Sequence, residues 1–345
     1  MRRRLAAVGV VGALTACGSD FEDETLVVDL RILAAKAEPP EVFVELGPSP
    51  AGLPFFTIAS DPQSVRVSVL VVDPRVGPRD DDRVSFEVWA CLAEGPIGCG
   101  SGDTASRGDD EGGGSTRAST TFPVAKGEGS LESLVFDFEP TAEQLNVFLT
   151  EDPYGGFGGL YVQVDFTLKM ASGETVRGAK IISYQTAFIT RREDEPPPPE
   201  RRTNQNPRLS SLRVDEAIVT PFDPFPLGGS TRPLRVEPVF EASLEVETYP
   251  VITFPDREGR APGWQQLEER LSFNFFATAG KFDEDDVDTR RPTGPVRDLS
   301  VNYEPPGAPT AQDAIWVVTH DDRGGTTWVK WSLSQGAGGR ASSGQ

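Results

Sequence analysis

The chain has 345 residues, 33 of them basic and 53 acidic, and a formal net charge of −20. Such a surface repels nucleic acid and anionic headgroups, so neither is expected as a partner beyond a covalent attachment. The length allows two ordinary domains, each with its own core.

Met1 is followed by Arg2, Arg3 and Arg4, then by an apolar run from Leu5 to Leu14. A basic start and a core of that length make a secretory leader, and the core is too short for the ~20 apolar residues of a spanning helix. The run ends Leu14-Thr15-Ala16-Cys17-Gly18. It resembles the lipobox of bacterial lipoproteins, an apolar residue and two small ones ahead of a cysteine. The resemblance implies cleavage of residues 1–16, diacylglycerol on the Cys17 sulfur and an acyl chain on the new amine. Stable attachment needs more than one chain, at roughly 0.8 kcal/mol per buried CH₂, and this pattern provides them. The other reading is an ordinary signal peptide that happens to contain a cysteine. No aspartate stands directly after Cys17, which by the usual bacterial sorting rule favours the outer membrane. The expected place is the cell envelope, with the protein lipid-anchored at the periplasmic face or the cell surface.

Residues 17–25 form a short acidic tether before a first domain expected over 26–190. Strand patterns begin with Leu26 to Ala34, break at Glu38-Pro39-Pro40, and resume with Ser64 to Val72 before Asp73-Pro74 stops them. In the next strand Val84, Phe86 and Val88 share one face, Ser85 and Glu87 the other. With Cys17 committed to lipid, Cys91 and Cys99 remain as an even pair in an oxidising compartment. A disulfide between them is expected to contribute roughly 2–3 kcal/mol on the chain-entropy model. Two thiols and the single histidine, His320, cannot complete a zinc shell. Residues 100–118 carry no apolar side chain larger than alanine and read as a flexible insertion. Order returns at Leu131 to Phe138. Thr141-Ala142-Glu143-Gln144 then fits a capping box, with Leu145, Phe148 and Leu149 on one face of a short helix. Leu160 to Met170 alternates strictly, as a half-buried antiparallel strand does, and Thr175 to Ile189 returns.

Residues 191–206 hold four prolines, Pro196 to Pro199, between charged flanks. Proline runs extend at ~3.1 Å per residue, so a stiff spacer between independent units is expected. A second domain follows over 207–334, then a disordered tail over 335–345. The second domain echoes the first: Asp82-Arg83-Val84-Ser85-Phe86 returns as Glu269-Arg270-Leu271-Ser272-Phe273, with Trp89 answered by Phe276. The closing hairpins also correspond, Gly159-Leu160-Tyr161-Val162 with Ala314-Ile315-Trp316-Val317. Two copies of one β-unit explain this. The fold class expected is all-β, two antiparallel β-sandwich domains in tandem with one short helix in the first. The units look like bacterial immunoglobulin-like or PKD-like modules. Against that pattern, no cysteine pair has the long inter-sheet separation, and Trp89 falls on the face opposite Val88. Either a bulge turns Trp89 and Phe276 inward or both lie under a loop.

Asp283, Asp285, Asp286 and Asp288 make the best candidate site, since calcium takes six to eight oxygens and loops of such modules often supply them. The cluster fails as an EF-hand: Val287 stands where a ligand is required and Asp288 where a glycine is required. A solvated charged loop is the default, and no cofactor is expected unless calcium binds at this cluster. Asp80-Asp81-Asp82 is a weaker candidate of the same kind. His320 adjoins carboxylates but runs into a glycine turn, with no nucleophile on an elbow beside it. The stretch Tyr154 to Gly159 is glycine-rich without a phosphate-binding pattern. Trp328 and Trp331 fall on opposite faces and cannot make one sugar platform. The expectation is a non-catalytic, adhesin-like binding or structural lipoprotein, contacting an envelope protein or polysaccharide. An accessory subunit of an envelope transport or secretion complex is the alternative. A glycan-processing hydrolase stands further off, because it requires two carboxylates facing one cleft.

Overall fold

The computed structural model describes residues 24–48, 56–75, 83–93, 99, 120–131, 134–153, 155–156, 158–186, 202–227, 232–240, 247–253, 263–289, 298–310 and 312–333. Cys17, Asp80 to Asp82, the insertion at 100–118, most of the proline spacer and the tail lie outside these residues.

The first half contains strands β1 (Arg31–Glu38), β2 (Glu41–Val44), β3 (Leu46–Pro48), β4 (Phe56–Ile58), β5 (Val65–Val72), β6 (Arg83–Leu92), β7 (Thr121–Ser130) and β8 (Leu134–Phe138). Helix α1 (Ala142–Glu151) and strands β9 (Leu160–Met170) and β10 (Thr175–Thr186) complete it. One sheet runs β1-β5-β8 and the other β2-β10-β9-β6-β7, with β3 and β4 as a separate ribbon. Alternation decides what each strand buries. Val65, Val67 and Val69 of β5 point into the same core as Val162, Val164 and Phe166 of β9. The helix starts where its cap demands: Thr141 accepts from the Gln144 N–H, and Gln144 answers at the Thr141 N–H. Leu145, Phe148 and Leu149 are its buried face. Asn146 then ties it to β4, accepting from Ile58 N–H at 2.7 Å and donating to Ile58 C=O at 3.1 Å.

The second half contains β11 (Ser211–Val214), β12 (Ala217–Val219), β13 (Leu234–Val239), β14 (Thr248–Thr253), β15 (Gly263–Glu268) and β16 (Leu271–Ala277). It continues with β17 (Lys281–Phe282), β18 (Asp286–Asp288), β19 (Val301–Glu304), β20 (Ala314–Asp321) and β21 (Thr326–Ser332). Its sheets run β12-β11-β13-β19-β17 and β18-β16-β20-β21, with β14 and β15 as a ribbon. Phe273, Phe275, Phe282, Tyr303 and Trp331 fill its core. The protein is thus all-β, built of several small sheets with one short helix among the described residues.

The strand orders repeat. The row β1-β5-β8 matches β11-β13-β19, and β7-β6-β9-β10 matches β18-β16-β20-β21. The two sequence echoes are not in one register, however. Phe276 pairs with Trp316, while Trp89 pairs with Asp165, four residues beyond Tyr161. An even offset keeps every side chain on its face. A bulge does interrupt the β6–β7 pairing between Val88 and Trp89, yet Trp89 stays outward and 38% exposed.

The halves do not behave as independent bodies on a spacer. Val27, Leu33, Leu70 and Val72 from the first half pack on Phe276, Ala314 and Trp316 of the second. This contact covers the outward face of β20, whose residues Ala314 to Thr319 are all buried.

Candidate functional site

Cys17 lies outside the described residues. Cys91 and Cys99 form a disulfide, with Cα atoms 5.4 Å apart. Both are buried. Cys91 pairs with Gln163 across β6 and β9, and the Cys99 sulfur lies 3.4 Å from the Gln163 carbonyl oxygen. The bridge therefore clamps residue 99 against the outward face of the sheet.

The aspartates of the candidate calcium cluster have separate partners. Asp283 accepts from the backbone N–H and the side-chain amide of Asn302, each at 2.7 Å. Asp285 gives its carbonyl oxygen to the Phe275 N–H at 3.0 Å. Asp286 is exposed in β18, whereas Asp288 is buried and receives the Arg270 guanidinium at 2.5 Å. Among the described residues, no group of three His, Cys, Asp or Glu side chains is arranged to hold a metal ion. Trp331 is a core residue whose indole N–H donates to Thr220 C=O at 3.0 Å, and Trp316 belongs to the contact between the halves.

The densest polar constellation is one that sequence reasoning did not locate. It lies where the turn between β20 and β21 meets the first half. Arg323 and Glu41 pair at 2.6 Å, with side chains 6% and 2% exposed. Arg323 also donates to Glu247 at 3.1 Å and to Arg202 C=O at 3.0 Å, and lies 5.0 Å from the ring centre of Tyr249. The Asn204 N–H donates to Glu41 at 2.8 Å, and its side chain reaches both oxygens of Asp321. Asp321 in turn accepts from the Arg323 and Gly325 N–H groups, folding the turn around its carboxylate. A Cβ at Gly325 would fall 1.9 Å from that carboxylate, so the turn takes glycine there. Lys180 comes from the inward face of β10 and donates to Gly324 C=O at 2.7 Å and Thr326 Oγ1 at 2.8 Å. Asn206 completes the seam, donating to Ala37 C=O and accepting from Thr326 N–H, both at 2.8 Å.

Burial governs the acid–base chemistry here. It lowers Lys180 to about 8, against the pull of Asp321. It lowers His320 to about 4, with Lys180 adding to the shift. Burial also raises Glu269 to about 8, helped by the nearby carboxylates Asp321 and Glu247. His320 Nδ1 sits 3.1 Å from Thr326 Oγ1, inside the seam. Of these displaced groups Lys180 joins the two halves, while His320 contacts Thr326 within the second half and Glu269 is buried beside Asp321 and Glu247 of that same half. The sequence signal was available: Lys180 stands in phase with Val176, Ile182 and Tyr184, a lysine on a core face.

A second feature is the outward face of the larger first-half sheet. Phe43, Ile181, Tyr161 and Trp89 lie on its neighbouring strands β2, β10, β9 and β6, at 41%, 48%, 47% and 38% exposure. Gln163 and Asp165 between them are hydrogen-bonded to each other at 2.7 Å. The matching face of the second half carries Phe276 and Trp316, covered by β1 and β5.

Among the described residues no helix is long and apolar enough to cross a membrane. No protein-family model matches the sequence, and no curated protein matches it. Solved structures overlap it weakly, and two of them illustrate this. One is a 1.5-MDa bacterial ice-binding adhesin studied for host cell surface retention, at 9% identity and TM-score 0.20, covering 89% of this chain and 65% of that one. The other is E. coli alpha-2-macroglobulin in its native conformation, at 11% identity and TM-score 0.22, covering 90% of this chain and 16% of that one. Likeness this slight says nothing of fold or role.

Proposed function

We propose that the chain is an exported lipoprotein of the cell envelope, anchored through Cys17, whose two immunoglobulin-like β-sandwiches act by contact and not by catalysis. One observation carries the contact role. The second half uses the outward face of its β16–β20 sheet to hold a β-sheet of the first half, through Phe276 and Trp316. The first half offers its own outward face with Trp89, Tyr161, Ile181 and Phe43 half exposed. Tryptophan and tyrosine are residue types that anchor protein interfaces, and an exposed apolar patch marks such a site. The partner this reading favours is another folded envelope protein that lays a sheet or a loop across that face.

Photo-crosslinking tests it. A photoreactive residue at Ile181 in intact cells is expected to trap a discrete envelope protein, and Trp89→Glu combined with Tyr161→Glu is expected to abolish the adduct. An unchanged adduct in the double variant, or none from position 181, rejects the face as the contact surface.

A further inference from the structure

The chain enters the described structure at a place its order does not announce. Residues 24–27 precede the first half in sequence, yet they are built into the second. Ala277 N–H donates to Thr25 C=O and Val27 N–H donates to Ala277 C=O, both at 2.8 Å. Leu26 and Ala277 thereby form a parallel bridge, and Thr25 Oγ1 accepts from Phe282 N–H at 3.3 Å. Thr25 and Val27 are buried, Val27 against Val72, Ala314 and Trp316. Only at Arg31 does the chain become β1. The segment is a strap fastened to both halves.

The strap marks one end of the molecule. Around Ala277 gather the start of β17, the end of β19 and the start of β20: Lys281 pairs with Glu304, and Thr278 N–H donates to Ala314 C=O at 3.0 Å. The first half is aligned alongside. Its Val72, the last residue of β5, packs on Val27, and Arg75 just beyond pairs with Glu174 in the turn after β9. Helix α1 and the Glu41–Arg323 pair lie toward the other end. The eleven residues of β9 separate the two ends by about 35 Å at ~3.3 Å per residue.

Chain length then fixes what this end faces. From Cys17 to Glu24 is a run of seven peptide links, which reaches about 25 Å at ~3.3–3.6 Å per residue. We infer that the end carrying Thr278, Lys281, Glu304 and the Ala171–Glu174 turn is the surface held toward the phospholipid bilayer, with the strap fixing that orientation for both halves. The inference rests on the lipid-anchor reading, and it adds which end lies down and through which half the anchor acts. The strap also places any pull on the anchor at the contact between the halves where Val27 lies with Val72 and Trp316, not along the first half alone.

The test uses the full-length lipidated protein in phosphatidylcholine vesicles that carry a headgroup-labelled energy acceptor. Cys17 is acylated and Cys91 and Cys99 are bridged on this account, so one introduced cysteine is a unique attachment point for a donor. Donors at Lys281→Cys and Ser172→Cys are expected to transfer severalfold more efficiently than one at Glu143→Cys on α1. Twenty Gly/Ser residues inserted after Gly18 are expected to lower transfer at the first two sites and erase the difference. Vesicle-bound protein whose three sites transfer equally, or with Glu143→Cys highest, overturns the orientation while leaving the anchor intact. Protein that does not float with the vesicles and whose Cys17 is unmodified by mass removes the anchor, and the orientation with it.

Discussion

The two halves carry the same sheet, with the strand orders β7-β6-β9-β10 and β18-β16-β20-β21, and put its outer face to opposite uses. In the second half that face is closed: Trp316 is 5% exposed, and β20 is buried on both sides from Ala314 to Thr319. In the first half β9 keeps one wet face, alternating Leu160, Val162 and Val164 inward with Tyr161 and Asp165 outward. Sequence records the difference. Ala314-Ile315-Trp316-Val317-Val318 is an unbroken apolar run, as expected of a strand covered on both faces, while Leu160 to Met170 alternates to its end. A covered face and an open one on equal frames tell which surface is structural and which is available.

The seam offers the largest way to break the comparison. Arg323→Ala leaves Glu41 buried without its cation, and removing one partner of such a pair costs about 3–5 kcal/mol. Denaturant unfolding should show this loss, and Arg323→Met with Glu41→Gln should recover much of it. The faces themselves can be compared directly. Trp316→Ala is expected to cost about 3–5 kcal/mol as a buried truncation, whereas Trp89→Ala on the open face should stay within roughly 1 kcal/mol. Equal losses at the two positions would show that the open face is not open. Cys91→Ser with Cys99→Ser removes an eight-residue closure and should lower stability by about 2–3 kcal/mol.

How much of this was legible depended on whether the signal was local. Period two defined β9 to its terminal residues, and the capping box placed α1. The even cysteine pair gave the disulfide, and the echo of Arg83-Val84-Ser85-Phe86 in Arg270-Leu271-Ser272-Phe273 gave the repeated strand order. The seam was not legible in the same way, because Glu41, Lys180, Asn204 and Arg323 lie far apart in the chain and only the fold brings them together. The strap escapes a local reading for a related reason: Leu26 to Ala34 looks like one apolar strand, but it divides between a bridge to Ala277 and β1 from Arg31. The expectation of independent units rested on proline stiffness, which says nothing of buried contacts elsewhere.

Two smaller effects sharpen the picture. Burial raises Glu269 from its ordinary 4.5 to about 8. The folded state therefore keeps a proton that the unfolded state releases, and its contribution is present below about pH 4.5 and lost as pH rises to about 8. Glu269→Gln should raise the melting temperature by roughly 3 °C at pH 8.5 and leave it unchanged near pH 4. The smallest effect expected is that of calcium. With Asp283 bonded to Asn302 and Asp288 to Arg270, millimolar Ca²⁺ should shift the melting temperature by less than about 1 °C on the scale of one weak site.

The sharpest test is to compare side-chain oxidation in the purified protein and in intact cells. Trp89 and Tyr161 should oxidise readily in the purified protein and become protected in intact cells, with Trp316 and Phe276 protected in both. Equal oxidation of Trp89 and Tyr161 in the two settings would mean that nothing covers the face in the cell, and the contact role assigned to it would be wrong.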